Sequence, residues 1–459
     1  MFFNRKNELK YLETKYNSNE PELIIFWGRR RIGKTFLLKQ FCDKKQGIFL
    51  MATASSSLDN LESFSSELAE YFNDERLQIQ RLRNWDEFFI YLDEKIQKRT
   101  PVVIDEYPYL IENNPAISSI FQKYWDKILQ SNLNIMLILN GSAISMMEKE
   151  TLEYRSPLYG RRSGQWFLEV FDVISANEFF KFKKLTQAIE AYAVTSGIPY
   201  YCKILSHQPD IYSAIKNKIL SKGEVLFEEV DFLLRQEFRT PRSYFPILKA
   251  IAQGAHKFGE ISSKTGYDKS NLTKYLSSLE KLKLIKREVS VTELKPEKSR
   301  KNLYFINDNF VNFWFIFVFP HLSELEFGKT DRIMKKFVIP NFNYYVSQKV
   351  EPIIIDLLKK DFFRLGLDYS MIGRYWDKNT EIDIWGETTD NRIIIGEIKW
   401  TETVCKKRVF LNLIEKANNM NINKDVIFLF ISKSGFAKDF SALKDDKLIL
   451  IDLRDWSLK

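Results

Sequence analysis

The first 170 residues alternate short apolar runs with longer segments in which apolar positions recur at helical spacing. The apolar runs cover residues 23–27, 47–52, 101–105 and 135–140, and the helical segments cover residues 34–42, 58–72, 86–98 and 116–130. Apolar runs without polar alternation are typical of strands buried on both faces, and strands that alternate with helices form parallel sheets. The pattern therefore predicts an α/β fold with a parallel sheet covered by helices.

The hydrophobic pattern changes after about residue 175. Residues 175–238 contain few β-branched runs, which predicts a small helical domain that acts as a lid over the sheet edge. Three helical segments and two short strands around a charged hairpin (292–301) follow, in the order of a winged helix-turn-helix. A long helix and a strand-rich segment then predict a second α/β domain. We therefore predict domains at residues 1–174, 175–240, 241–325 and 326–459.

Composition agrees with a multidomain globular protein. A chain of 459 residues is too long for one hydrophobic core, and 45% hydrophobic with 28% charged residues is ordinary for such proteins. Cys42, Cys202 and Cys405 lie too far apart in sequence to indicate a zinc site or a disulfide framework. Because no signal-peptide pattern stands near the start, we expect a cytoplasmic location. The apolar run 310–320 is shorter than the roughly 20 residues that a membrane span needs, so we expect a buried element and no membrane partner.

The positive charge is concentrated in one part of the chain. The net charge of the whole chain is +9. Residues 241–306 contain 14 Lys and Arg against six Asp and Glu, a net charge of +8. Basicity confined to one domain indicates an anionic partner better than a high overall isoelectric point does.

A phosphate-binding pattern lies between the first predicted strand and the first predicted helix. Residues 28–35 read Gly-Arg-Arg-Arg-Ile-Gly-Lys-Thr, a G-x-x-x-x-G-K-[ST] loop whose backbone N–H groups and helix dipole point at a polyphosphate. We expect Lys34 to reach the β- and γ-phosphates and the Thr35 hydroxyl to hold Mg²⁺. The predicted nucleotide-binding residues of this loop are Gly28, Arg29, Arg30, Arg31, Ile32, Gly33, Lys34 and Thr35.

Two further predicted strands end in polar residues at the same edge of the sheet. The strand at 101–105 delivers Asp105, which is expected to hold Mg²⁺ through water, and Glu106, which is expected to polarise the attacking water. The strand at 135–140 ends at Asn140 and Ser142, and each is a candidate sensor of the γ-phosphate. The alternative for these two is a strand-ending turn without nucleotide contact.

The basic domain carries candidate DNA contacts. Lys269, Ser270, Asn271 and Lys274 lie at the start of its third helix, where winged helices meet the major groove, and the charged hairpin would lie near phosphates. The local charge of +8 favours DNA as the partner. The alternative is a winged helix used for protein packing.

The last domain carries an acidic pair with a lysine. Asp383 and Glu397 come from neighbouring predicted strands, and Lys399 shares a face with Glu397 because side chains two apart in a strand point the same way. With Glu351 from the preceding helix as an added carboxylate, these oxygen ligands suit one or two Mg²⁺ or Mn²⁺ ions. The alternative is two amphipathic strands with acids at their exposed ends. The arrangement resembles the PD-(D/E)XK nuclease core, which implies phosphodiester hydrolysis, although members of that superfamily also lose or repurpose the site.

The chain as a whole resembles the archaeal-type ATPase family. That family joins a P-loop domain of the AAA+/STAND grouping to a winged helix and a nuclease-like C-terminal domain. The matching segments are Phe3 to Leu9 and residues 28–35, 103–106, 140–142, 156–162, 197–200, 381–383 and 396–400. The resemblance implies ATP binding and slow hydrolysis, with Arg161 or Arg162 as a γ-phosphate arginine that acts in cis or on a neighbouring subunit.

These patterns together predict an α/β protein with a P-loop parallel sheet, a helical lid, a winged helix-turn-helix and a C-terminal restriction-endonuclease-like domain. We expect an ATP-hydrolysing switch that uses Mg²⁺, binds DNA, carries a Mg²⁺-dependent nuclease site and forms a homo-oligomer. The alternative is a non-cleaving, ATP-dependent regulatory or scaffold protein that binds DNA or protein partners.

Overall fold

The structure, a computed structural model, describes residues 4–238, 240–299, 301–420, 422–443 and 445–458. The chain divides into two compact units at Val170 and Phe171, close to the first predicted domain boundary. Phe3, where the first segment of the family resemblance begins, and Arg300, in the predicted wing, lie outside the described residues.

A parallel sheet forms the centre of the first unit. Its strands are β1 (Glu22–Trp27), β2 (Ile48–Met51), β3 (Thr100–Asp105), β4 (Ile135–Gly141) and β5 (Gly164–Phe167), in the order β2-β3-β4-β1-β5. All pairings among these strands are parallel, so their carboxyl ends share one edge. Every residue of β1, β3 and β4 is buried, as expected for central strands covered on both faces. The predicted α/β fold with a parallel sheet is confirmed.

Helices flank this sheet. They are α1 (Lys6–Tyr16), α2 (Lys34–Lys45), α3 (Ser57–Phe72), α4 (Glu75–Ile79), α5 (Trp85–Lys95), α6 (Tyr107–Asn113), α7 (Ile117–Lys127) and α8 (Ile144–Met147). Helix α2 packs Leu38 and Phe41 into a core with Ile24 and Phe26 of β1. Because α2 begins at Lys34, within the phosphate loop, this packing fixes the loop and the helix N-terminus at the carboxyl edge of the sheet.

The second unit opens with helices and continues into the basic module. Helices α9 (Val173–Phe180), α10 (Leu185–Thr195), α11 (Pro199–Leu205), α12 (Ile211–Ala214) and α13 (Glu229–Glu237) occupy the segment predicted to be helical. The module that follows contains α14 (Phe245–Ala252), α15 (Phe258–Thr265), α16 (Lys269–Lys281) and the antiparallel strands β6 (Ile285–Glu288) and β7 (Leu303–Ile306). We call residues 241–306 the three-helix module.

The apolar run at residues 310–320 forms helix rather than a membrane span. It contains α17 (Asn309–Phe313) and a wider helical turn over Trp314–Val318, and most of its side chains are buried. Helices α18 (Leu322–Glu326), α19 (Thr330–Ile333) and α20 (Ile339–Lys359) come next. In the part of the chain that the structure describes, no helix combines the length and apolar character needed to cross a membrane.

A separate mixed sheet closes the second unit. Its strands are β8 (Tyr369–Trp376), β9 (Glu381–Thr388), β10 (Ile393–Lys399), β11 (Val426–Ser432) and β12 (Leu448–Asp452), in the order β12-β11-β10-β9-β8. Strands β10, β11 and β12 are parallel, whereas β8 and β9 form an antiparallel edge. Helices α21 (Lys407–Asn419) and α22 (Lys438–Ser441) complete this domain, and Phe410 and Leu413 of α21 pack against the sheet.

Candidate functional site

The phosphate loop has the backbone that its glycines allow. Gly33 takes φ of 89° and caps the N-terminus of α2, a conformation that residues with a side chain rarely adopt. At Gly28 a Cβ would stand 2.7 Å from the Leu168 carbonyl oxygen, so the close approach of the backbone requires glycine. The Lys34 ammonium is buried and donates a hydrogen bond to the Arg29 carbonyl oxygen at 2.9 Å. The loop therefore holds its lysine within the turn that would surround a phosphate.

A buried arginine that the phosphate-loop pattern does not include braces this loop. Arg5 is 5% exposed, and its guanidinium donates to the carbonyl oxygens of Ile32 and Glu169, each at 2.9 Å. It also pairs with Glu8 at 3.0 Å. The family resemblance included Arg5 in its first segment, but only the tertiary structure shows that this residue fixes the backbone of the loop.

The carboxyl ends of β3 and β4 bring Asp105 and Asn140 together. Both side chains are fully buried, and the Asn140 amide donates a hydrogen bond to Asp105 Oδ1. The backbone N–H of Glu106 donates to the same oxygen at 2.9 Å. Among the described residues, the other oxygens, Asp105 Oδ2 and Asn140 Oδ1, have no hydrogen-bond partner. A buried polar atom without a partner is costly, so this pair fits a bound cation or its water.

Glu106 lies next to this pair in a strained conformation. Its φ of 53° places a non-glycine residue in the left-handed region, as is common at functional sites. The Ser142 hydroxyl donates to its carboxylate, at 2.9 Å from Oε2 and 3.2 Å from Oε1. The structure therefore joins Glu106 to Ser142 and Asp105 to Asn140, so both polar residues at the end of β4 contact the acidic pair at the end of β3.

Arg161 and Arg162 lie at the other edge of the sheet. They precede β5, whose first residue, Gly164, pairs with Ile24 near the start of β1. Since β1 has six residues, about 17 Å of strand separates this edge from the phosphate loop, at about 3.3 Å per residue. The structure therefore does not bring either arginine to the phosphate loop of its own chain.

Both arginines have partners at that edge. Arg161 forms a two-pronged ion pair with Asp126, with nitrogen–oxygen distances of 2.9 to 3.2 Å, and this pairing raises the pKa of Arg161. Arg162 donates to the carbonyl oxygens of Thr151 and Tyr159. From this edge of the sheet, Arg161 and Arg162 would have to act on a nucleotide bound to a neighbouring subunit.

The candidate DNA contacts lie on the exposed N-terminus of α16. Lys269, Ser270, Asn271 and Lys274 are all exposed, while the leucines of the helix face inward. Asp268 caps the helix, since its Oδ1 accepts hydrogen bonds from the N–H groups of Ser270 and Asn271 at 2.9 and 3.0 Å. These bonds hold the pKa of Asp268 below its usual value. The helix start is therefore ordered and open to a partner.

The acidic pair of the last domain forms across neighbouring strands. Asp383 immediately precedes Ile384 in β9 and Glu397 immediately follows Gly396 in β10, and Ile384 and Gly396 are paired residues of these antiparallel strands. Asp383 Oδ2 accepts the N–H of Ile398 at 2.8 Å. Burial, and next the charges of Glu397 and Glu351, raise the pKa of Asp383 to about 7. When two carboxyl groups lie this close, ionisation of one raises the pKa of the other, and a bound cation would stabilise both in their charged form.

Two lysines lie near the carboxylate of Glu397. Lys399 Nζ is 2.5 Å from Glu397 Oε1, and although burial lowers the pKa of Lys399, the charges of Glu397 and Asp383 outweigh it and raise that pKa. Lys416 of α21 donates to the Glu381 carbonyl oxygen at 2.8 Å, and its ammonium lies 3.9 Å from Glu397 Oε2. The sequence pattern did not indicate Lys416, because no local feature connects a lysine on a helix to a carboxylate on a distant strand.

Glu351 is not placed as a third ligand. Its carboxylate lies 3.4 Å from Nε of Arg374, and Arg374 also pairs with Glu381. Within the described ranges, no group of three or more His, Cys, Asp or Glu side chains is arranged to hold a metal ion. The structure thus brings together Asp383, Glu397 and Lys399. Glu351 is close enough for its charge to raise the pKa of Asp383, while its carboxylate pairs with Arg374.

Comparisons with known proteins show which families and relatives this chain is similar to. A family described as an ATPase domain predominantly from Archaea matches residues 2–205, and one described as Archaea bacterial proteins of unknown function matches residues 314–411. An uncharacterised protein of Methanocaldococcus jannaschii is 32% identical over 464 residues, covering 100% of both chains. An uncharacterised ATP-binding protein of the same organism is 56% identical over 46 residues, which are 10% of this chain and 78% of that protein.

A solved structure shows the same fold. The Walker-type ATPase of Pyrococcus abyssi aligns with a TM-score of 0.53 and 24% identity, covering 68% of this chain and 96% of its own. At this identity the likeness shows the fold alone. It agrees with the parallel sheet described above.

Proposed function

Because the chain belongs to the family of ATPase domains found predominantly in Archaea, we propose that it is an ATP-driven switch. In this proposal the nucleotide state controls a DNA-binding module and a C-terminal site for Mg²⁺-dependent phosphodiester cleavage. The ATPase domain is the part that the family itself carries. The coupling, the DNA and the cleavage are our proposals.

The observation that carries the nucleotide site is the buried Asp105–Asn140 pair at the edge where the phosphate loop opens. Its two unpartnered oxygens fit a hydrated cation better than an apolar core. Thr35 and Asp105 would hold Mg²⁺, which when bound offsets the negative charge of the β- and γ-phosphates. Lys34 would leave the Arg29 carbonyl oxygen for phosphate oxygens.

Glu106 is the proposed base for hydrolysis. Its carboxylate would accept a proton from the water that attacks the γ-phosphorus, while the bond from that phosphorus to the bridging oxygen of ADP breaks. Ser142 donates a hydrogen bond to this carboxylate and would thereby orient Glu106 toward the attacking water. Asn140 would sense the γ-phosphate through the hydrogen bond that it shares with Asp105.

Replacing the loop lysine tests the nucleotide site. Lys34→Ala removes the buried ammonium, and we expect ATP binding to be lost in equilibrium titration with a fluorescent ATP analogue. Lys39→Ala is the matched control, because Lys39 lies on the same helix and is exposed. Unchanged ATP affinity in Lys34→Ala would refute the assignment.

The three-helix module is the proposed DNA-binding part. Its net charge of +8 and its exposed, capped α16 support contact with a duplex through Lys269, Ser270, Asn271 and Lys274. We expect Lys269→Gln/Lys274→Gln to weaken duplex binding and to reduce its salt dependence by about 0.9 per lost phosphate contact. Duplex affinity equal to that of wild type would exclude this helix as the contact.

The C-terminal site is the proposed nuclease. Asp383 and Glu397 would hold Mg²⁺, which when bound polarises the scissile phosphate. Lys399 would orient the attacking water, whose oxygen bonds to phosphorus as the ester bond to one sugar oxygen breaks. The water gives up a proton to solvent, and the leaving sugar oxygen takes one up from solvent. We expect Asp383→Ala and Lys399→Ala each to abolish cleavage of labelled DNA or RNA in Mg²⁺, with and without ATP.

A non-cleaving regulatory protein is the second candidate. The observation that favours it is that Lys399 and Arg374 already neutralise Glu397 and Glu351, and that no three metal-binding side chains converge in the described residues. Wild-type protein that binds DNA with a steep salt dependence, yet cleaves no nucleic acid under any nucleotide condition, would select this alternative.

A further inference from the structure

A groove beside helix α14 belongs to none of the sites described above. Its volume is about 720 Å³, which falls within the range of about 300–1,000 Å³ that is usual for small-ligand sites. Phe245 and Phe319 form part of its wall, with ring centroids 5.9 Å apart and ring planes inclined by 43°. Both side chains are only half-buried, so each ring keeps accessible surface.

Three cations line the same groove. Arg242, Lys249 and Lys264 come from the turn before α14, from α14 and from α15, and all three are exposed. Lys249 Nζ lies 5.7 Å from the centroid of the Phe319 ring. The groove therefore places positive charge directly beside an aromatic surface.

The groove has little negative charge to offset these cations. Of the lining residues in the described part of the chain, Asp231 supplies the carboxylate, and its Oδ2 lies 2.6 Å from Nε of Arg235. Lys264 donates a hydrogen bond to the carbonyl oxygen of Gln253 at 3.3 Å, and this acceptor carries no negative charge. An anionic ligand with a flat ring would thus meet both unmatched positive charge and an aromatic wall.

We propose that this groove binds a nucleotide unit of a single-stranded nucleic acid. The base would lie against Phe245 and Phe319, and the flanking phosphates would meet Arg242, Lys249 and Lys264. Aromatic side chains combined with cations that follow the backbone are the usual means of binding single strands without sequence preference. Because the three cations stand on three different elements, they suit successive phosphates of a strand better than the single phosphate of a free nucleotide.

This inference rests on the proposed role of the three-helix module in nucleic-acid binding, but it uses a different surface. The duplex contact was assigned to the N-terminus of α16, whereas the groove lies on α14 and α15. The two surfaces predict different ligands, so variants of each can fail independently.

Fluorescence anisotropy of the full-length protein tests the proposal. The probes are a fluorescein-labelled dT12 strand and a labelled 12-base-pair duplex, titrated over a series of KCl concentrations. The groove variants are Lys249→Gln/Lys264→Gln and Phe319→Leu. The control is Lys222→Gln/Lys329→Gln, two exposed lysines of the same unit that do not line the groove.

We expect the double lysine variant to bind dT12 at least about tenfold more weakly, with a salt slope reduced by about 1.4, since each phosphate contact to a single strand contributes about 0.7. Phe319→Leu should weaken dT12 binding about tenfold with an unchanged salt slope, because it removes stacking and no charge. Duplex affinity should stay within about twofold of wild type in both, and the control should match wild type. A melting curve of each variant checks that it is folded.

Several outcomes would overturn the proposal. They are wild-type dT12 affinity in both groove variants, no dT12 binding by the wild type, and displacement of dT12 by AMP at concentrations similar to the dissociation constant of dT12. The last would identify a site for a free nucleotide. If the wild type binds dT12 in a groove-dependent way but binds no duplex, the groove stands and the duplex assignment of α16 falls. Ultraviolet cross-linking of a 5-iodouracil strand to Phe245 or Phe319 would give independent support.

Discussion

Replacing Asp105 by asparagine should stabilise the nucleotide-free P-loop unit while it abolishes hydrolysis. Asp105 is fully buried, its Oδ1 accepts hydrogen bonds from Asn140 and from the Glu106 N–H, and its Oδ2 has no partner in the described residues. An amide keeps the Oδ1 acceptor and replaces a charged, unpartnered oxygen by a neutral NH₂ group, whose burial costs less than that of a charge. The buried charge of Asp105 therefore carries a cost that a bound cation would relieve.

The magnitude follows from the burial of that oxygen. An unsatisfied buried polar group costs about 1–3 kcal/mol, and more when it is charged, so removing the charge should raise the free energy of unfolding by about 1–2 kcal/mol. For a unit of residues 1–170, this gain corresponds to a rise in Tm of about 3–6 °C. Loss of the proposed Mg²⁺ contact should at the same time lower kcat for ATP hydrolysis by about 100-fold or more.

The assay is calorimetry in EDTA, in which the transition that moves when ATP and Mg²⁺ are added to wild type reports the P-loop unit. The control is Asp172→Asn. Asp172 has partners on both oxygens, the N–H of Ser175 at 2.7 Å and the ammonium of Lys360 at 2.6 Å, so its replacement should destabilise the second unit by about 1 kcal/mol. A lower Tm for Asp105→Asn without nucleotide, or unchanged hydrolysis, would refute the reasoning.

Three further predictions concern the loop, the pH response and the C-terminal acids. Gly33→Ala should lower the free energy of unfolding by about 1–2 kcal/mol, because no atom lies within 4 Å of the added Cβ and only φ is strained. Gly28→Ala should lower it further, since its Cβ would meet Ile32 and Leu168. Comparing the Tm values of the two variants checks this. Burial lowers the pKa of His256, so the stability that this residue contributes is present above the unfolded-state pKa of about 6.5 and is lost as pH falls below that value. Denaturant unfolding between pH 7.5 and 5.5 should show this loss of stability. The loss should be smaller in His256→Gln. Arg374→Gln should destabilise the second unit by about 1–3 kcal/mol, because it leaves the carboxylate of Glu351 without its partner, and adding Glu351→Gln should restore part of the loss in a double-mutant cycle.

Local patterns predicted the elements of the nucleotide site well, because each depends on residues close in sequence. The apolar run before Gly28, the glycine spacing and the helix after Thr35 are all local, and the structure forms β1, the loop and α2 at those places. Asp105 and Glu106, at the end of β3, were predicted to lie at the same edge of the sheet as the phosphate loop, because parallel strands run in the same direction. Pairing Asn140 with Asp105, and Ser142 with Glu106, required the order β3-β4 in the sheet, which no local pattern contains.

Arg161 and Arg162 show most clearly what the sequence alone could not predict. Arg161 and Arg162 were assigned to the γ-phosphate through a family resemblance, yet the register of β5 on β1 places them at the opposite edge. Arg5, Arg374 and Lys416 received no individual role from the sequence, because an isolated basic residue carries no signal of the carboxylate or carbonyl oxygen that it meets.

The sequence by itself determined that this protein has a P-loop sheet, a basic module and an acidic pair with a lysine. Hydrophobic periodicity, glycine conformations and side-chain alternation are properties of neighbouring residues, and they act before any long-range contact forms. Only the tertiary structure decided which strand ends meet, which carboxylates are already neutralised, and where the grooves lie. Strand order and register are set by pairing between segments far apart in the chain, so the buried Asp105–Asn140 pair, the displaced arginines and the groove at Phe319 depend on the whole fold.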